Sequence, residues 1–214
     1  MAETKIHLYD KCEEAFNTFT HLFGAVLATV GMVFMMVKVG KYHNPIIFFA
    51  FFAYSLSNVC VYLVSTMYHG SKNINRKILW QKADHSMVGM VIAGTSTPML
   101  LVVAYGTASA IILCFIWLIT IFNAGLNIVS VSKFKKQSQL LYLASAVLLA
   151  VALLISRPII NIAFYLLLLG GVIVLGIGWI FYFQKSKKYT HVIWHLADII
   201  CSVLHFSAFY FFYI

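Results

Sequence analysis

Seven runs of apolar residues dominate this chain, and each is close to the ~20 residues that a helix needs to cross a bilayer core. They fall at 21–37, 45–68, 83–104, 108–131, 138–156, 158–183 and 191–213. The runs are continuous, whereas strands of a membrane barrel are only about 10 residues of alternating polarity. The predicted spans are therefore helices. Of the 214 residues, 62% are hydrophobic and 10% are charged, against roughly 25% charged in a soluble domain. The expectation is an all-α membrane protein, a seven-transmembrane helix bundle in one domain over 19–214. A short cytoplasmic segment, 1–18, precedes it.

That first stretch is polar and mixed in charge. It has neither the basic and apolar regions nor the cleavage site of a secretory signal. The first helix is expected to serve as the insertion signal.

The connections set the orientation. On one side lie Lys5, Lys11, Lys72, Arg76, Lys77, Lys82, Lys133, Lys135, Lys136, Lys185, Lys187 and Lys188. The other side carries Lys38, Lys41 and Arg157. Cationic residues favour the cytoplasmic face. This predicts a multi-pass protein of the cell membrane with its N-terminus cytoplasmic and its C-terminus extracytoplasmic. That is opposite to the usual orientation of G-protein-coupled receptors, so seven spans do not point there. The net charge of +9 is scattered over short connections and forms no patch that would read nucleic acid. The four cysteines are far apart and have no CxxC spacing, so they read as small buried side chains.

Within this apolar frame, ionisable residues are the functional candidates, because a charge at membrane depth must be satisfied. His191 and His195 lie i, i+4 in HVIWH and share one helix face, one turn apart. The HExxH glutamate of metalloproteases is missing. Ser65 and His69 in STMYH share a face in the same way, and Asp84 in KADHS is read as opening the third helix. All five fall at the predicted cytoplasmic ends. Three imidazoles suit zinc, with water in an open fourth position, although copper, iron and nickel also bind imidazole. Zinc lowers the pKa of such a water to about 7. A nearby carboxylate, Asp84, would hold that water or take its proton. Ser65 would hydrogen-bond to the water, to substrate or to Asp84. The simpler readings are a carboxylate at a helix N-terminus and a packing serine.

Other polar residues draw weaker readings. His21 is a candidate for a group behind the metal ligands, and His85 points about 100° from Asp84. Asp198 and His205 continue the stripe of His191 and His195 without an assigned role. Asn123 and Asn127 are expected to hydrogen-bond between helices. Pro98 should kink the third helix.

STMYH, KADHSMVGMVIAGTSTPMLL and HVIWHLADIICSVLHF, with EEAFNTFTHLFGAVLA at the start, resemble the hemolysin III branch of the progestin and adipoQ receptor family. The resemblance spans essentially the whole chain. It implies kinship with adiponectin receptors and, more distantly, alkaline ceramidases. It further implies zinc near the cytoplasmic face held by His69, His191 and His195, with Asp84 and Ser65 around its water. The function expected is a zinc-dependent intramembrane hydrolase of a lipid amide or ester, its substrate entering from membrane lipid. The alternatives are a lipid-responsive sensor with structural zinc and a pore-forming cytolysin.

Overall fold

The computed structural model describes residues 9–156, 161–184 and 187–214. The start of the run at 158, and Lys5, Arg157 and Lys185 of the charge distribution, lie outside these residues. Seven helices long and apolar enough to cross a membrane make up the described chain. They are α1 (Lys11–Gly40), α2 (Pro45–Gly70), α3 (Ile74–Pro98), α4 (Thr107–Ser130), α5 (Lys135–Ser156), α6 (Ile162–Tyr182) and α7 (Thr190–Phe212).

Local chemistry explains the starts. The Asp10 carboxylate caps α1 by accepting the Glu13 backbone N–H at 2.9 Å. Asn44 caps α2 through the N–H groups of Ile46 and Ile47, with Pro45 at the first helical position, where its missing N–H costs nothing. Asn73 and Asn161 do the same for α3 and α6.

Two starts differ from the sequence reading. α1 begins at Lys11, so His21 lies well inside it. α3 begins at Ile74, so Arg76, Lys77 and Lys82 are helical and Asp84 does not open the helix. An apolar run marks only the stretch of helix immersed in hydrocarbon. Polar turns can continue a helix past it, because each further residue adds a backbone hydrogen bond. At the other end of α3, Pro98 does interrupt the ladder. The break takes the form of a π turn over Met99–Val103, closed by Ala104 N–H donating to the Met99 carbonyl at 2.8 Å. Ser96 and Thr97 hydroxyls bond back to the carbonyls of Ile92 and Ala93.

Neighbours in sequence pack together from α1 to α5, α6 packs on α7, and α7 returns to α1. Small residues permit the closest approaches. A Cβ at Gly94 of α3 would collide with the Ser57 side chain of α2, and one at Gly178 of α6 would collide with Ala197 of α7. The burial pattern is that of a protein whose solvent is lipid. Phe19, Leu118 and Leu154 are exposed, while Asn17, His21, Ser65, His69, Asn123 and Asn127 are buried. The asparagines behave as expected. Asn127 donates to the His85 carbonyl at 3.4 Å and accepts from the Ser138 hydroxyl at 3.1 Å, tying α4 to α3 and α5.

Candidate metal centre

Three histidines from two helices meet at one end of the bundle. His69 lies in the last turn of α2, and His191 and His195 lie in the first two turns of α7. One nitrogen from each lies within 4.8 Å of the other two. Zinc–imidazole bonds of ~2.0–2.1 Å put ligand nitrogens about 3.4 Å apart around a tetrahedral ion, so small side-chain rotations suffice. The i, i+4 spacing sets the His191–His195 ring separation of 4.4 Å, and the packing of α2 brings the His69 ring within 5.1 and 5.0 Å of these two. His69 and His195 are 3% and 1% exposed. Nε2 of His69 is buried without a hydrogen-bond partner. A buried polar atom left unpaired costs about 1–3 kcal/mol. Three imidazoles with nitrogens this close, one of them carrying a buried orphaned nitrogen, form a donor set that a metal ion satisfies, so the residues present fit one.

Nδ1 of His69 and Nδ1 of His195 are held from α1. Nδ1 of His69 lies 2.8 Å from Oε2 of Glu14 on α1, whose Oε1 pairs with Nζ of Lys77 on α3 at 2.8 Å. Lys77 also donates to the carbonyls of Tyr68 and His69. Nδ1 of His195 lies 3.2 Å from the Thr20 hydroxyl. The His21 ring packs 3.7 Å from that of His195, so His21 is part of the cluster's wall.

Tyr9 covers one side of the cluster. Tyr9 stacks on His191 at 4.9 Å and also touches His69. Asp10 pairs with Lys188 at 3.0 Å, and Glu13 accepts the Tyr189 backbone N–H at 2.5 Å. The Glu13 N–H and the Lys188 ammonium hold the Asp10 carboxyl below the usual carboxylate range, and burial pushes the Tyr9 hydroxyl well up.

Asp84 and Ser65 stand further out. Ser65 is buried one turn before His69, and Asp84 is half-buried on α3. Among the described residues no hydrogen bond joins either to His69 or His195. Asp84 lies within electrostatic reach of Tyr68 and Tyr182, whose rings pack on His69 at 4.5 Å and on His191 at 5.8 Å. It therefore approaches the cluster from the α3 side across a tyrosine border. His205 is separate. Its Nε2–H donates to the Leu168 carbonyl of α6 at 3.2 Å, which is a packing role.

Glu14, Lys77, Thr20 and Tyr9 escape the sequence reading. Glu14 sits in a segment read as a soluble tail, and Lys77 in one read as a loop. The signal that was available is the spacing of Glu14, Asn17 and His21, which lie three and four residues apart on one helix face leading into the first apolar run.

A family model for haemolysin-III related proteins matches residues 9–206. The chain belongs to the hemolysin III family. Hemolysin-3 of Bacillus cereus is 32% identical over 185 residues, covering 86% of this chain and 84% of the relative. The hemolysin-3 homolog of Bacillus subtilis (strain 168) is 30% identical over 184 residues, covering 86% of each. No solved structure matches the chain. The matched hemolysin III region contains every residue named in this cluster, from Tyr9 to His195.

Proposed function

We propose that this hemolysin III protein is a zinc-dependent hydrolase that cleaves an amide or ester of a membrane lipid at the histidine cluster. The observation that carries this reading is the convergence of His69, His191 and His195 with a buried, unpartnered Nε2 on His69. Zinc bound there would polarise a scissile carbonyl and supply hydroxide at neutral pH. Asp84, on the α3 side of the tyrosine border, would take the proton from the attacking water and return it to the leaving group. Ser65 hydrogen-bonds to the substrate's polar head or to the water. Tyr9, stacked on His191, shields the cluster from bulk water. The lipid-like substrate arrives from within the bilayer. Zinc is proposed over other imidazole-binding ions because hydrolysis needs no redox chemistry.

The proposed topology is a short cytoplasmic N-terminal segment leading into one seven-helix domain, with the C-terminus outside and the cluster near the cytoplasmic face of the cell membrane. The cationic connections at the cluster's end support it.

The test is metal content in detergent-purified protein, wild type against the His191→Ala/His195→Ala variant. About one zinc per chain, lost in the variant, is expected. A folded wild type that takes up no zinc when it is offered would remove the hydrolase. Next, Asp84→Asn should keep the metal and lose turnover of a labelled ceramide or ester lipid. Full turnover in that variant would dismiss Asp84 as the base.

The name of the Bacillus cereus relative favours a second reading, membrane lysis. Leakage from protein-containing vesicles that survives loss of the three histidines would support lysis over hydrolysis.

A further inference from the structure

We propose that α1, which supplies no metal ligand, sets the metal affinity of the cluster by fixing the tautomers of His69 and His195 through Glu14 and Thr20. This rests on the metal reading of the three histidines, and it assigns positioning roles to two residues.

The argument is one of donors and acceptors. A neutral imidazole carries one N–H and one lone pair, and which nitrogen has the proton follows from its partner. The Thr20 hydroxyl has a single hydrogen. Its oxygen lies 2.9 Å from the Phe16 carbonyl and 3.0 Å from the Asn17 carbonyl, both of which can only accept. The hydroxyl hydrogen is therefore committed to the backbone of α1. Toward Nδ1 of His195, at 3.2 Å, Thr20 has only a lone pair to offer. Nδ1 must carry the proton, and Nε2 of His195 is left with its lone pair free for a metal.

Glu14 reaches the same result by charge. One carboxylate oxygen is paired with the Lys77 ammonium at 2.8 Å, and that pairing keeps the group ionised. An ionised carboxylate only accepts, so Nδ1 of His69, at 2.8 Å from the other oxygen, is the donor. The lone pair again falls on Nε2, the nitrogen that is buried and without a partner. Two independent contacts, made by residues six apart on one helix, thus present the same nitrogen of two different rings. Carboxylate or hydroxyl partners behind metal-bound histidines hold ring orientation and raise ligand basicity, and removing one typically lowers metal affinity by ~10–100-fold.

The experiment uses the full chain in detergent, labelled with 15N-histidine. Spectra of the metal-free protein read the tautomers directly, with His69 and His195 assigned from single His→Gln variants. Zinc affinity is measured by competition with a chromophoric chelator. Nδ1–H is expected on both rings. Thr20→Val and Glu14→Leu are each expected to release their ring into mixed tautomers and weaken zinc by ~10–100-fold. Thr20→Ser, which keeps an accepting oxygen, should restore most of it, whereas Glu14→Gln should not, because its single amide oxygen goes to Lys77 and its NH2 then faces Nδ1 of His69. Unfolding temperatures of the metal-free variants separate a positioning effect from a folding defect. Nε2–H on either ring in the wild type would overturn the tautomer assignment. Unchanged zinc affinity in both Thr20→Val and Glu14→Leu would overturn the positioning roles. A wild type that binds no zinc removes the metal reading, and the metal-free spectra still decide whether α1 holds the two rings.

Discussion

Lys77→Met tests the charged chain behind the cluster. In the native fold, the Glu14 carboxylate bridges the Lys77 ammonium and His69, each at 2.8 Å. The Lys77 side chain is 6% exposed and that of Glu14 is 17% exposed. Removing the cation leaves a largely buried carboxylate with one imidazole N–H. Breaking a buried pair costs roughly 3–5 kcal/mol. Partial access of water to Glu14 places this case at the lower end, about 3 kcal/mol. At ~2–4 °C per kcal/mol for a chain of this size, the metal-free protein should melt roughly 6–12 °C lower. The Glu14→Gln/Lys77→Met double variant removes both charges and should recover most of that loss, because neutral replacement of a buried pair is often close to neutral. The assay is thermal unfolding in detergent across the full double-mutant cycle. A coupling of at least about 2 kcal/mol is expected. Additive losses within ~0.5 kcal/mol would refute the idea that Glu14 and Lys77 act as one unit.

Gly94→Ala should destabilise by about 1–3 kcal/mol, since its Cβ would run into Ser57 across the α2–α3 contact. Gly125→Ala, with nothing within 4 Å, should be neutral or stabilising in the same unfolding assay. His205→Leu should cost about 1–2 kcal/mol through the Leu168 carbonyl it leaves behind and should keep full metal content; loss of metal would place His205 in the site. Asp10 carries a depressed folded pKa, so its contribution is present above the unfolded value of ~3.9 and is lost as pH falls through the folded value. Asp10→Asn should therefore flatten the acid limb of the stability profile, and an unchanged limb would show that neither the Glu13 N–H nor Lys188 holds the carboxylate in solution.

Much of the fold was legible because lipid imposes a simple rule: a backbone crossing hydrocarbon must satisfy its own hydrogen bonds, so long apolar runs become helices. The same rule exposed His69, His191 and His195, which are too polar for their surroundings unless they serve something. The i, i+4 spacing placed His191 and His195 on one face with no knowledge of the neighbours. Helix starts were less legible. The polar turns Ile74–Lys82 and Lys11–Thr20 look like loop and tail by composition, yet Asn73 and Asp10 cap them and packing carries them on as helix. Asp84 shows the consequence, since it sits inside α3 at the tyrosine border of the cluster.

The sequence by itself thus determined the number of membrane-length helices and the imidazole donors that lie near their ends. Both follow from properties local to a stretch of chain: hydropathy over one helix length and the angular repeat of a helix. Only the tertiary structure decided that His69 meets His191 and His195, that Glu14 links His69 to Lys77, and that Thr20 stands behind His195. These contacts join residues on different helices, 55 and 175 positions apart for the Glu14–His69 and Thr20–His195 pairs. Their existence depends on how helices pack side by side, through close approaches such as Gly94 on Ser57 and Gly178 on Ala197. No property of one helix read alone carries that information.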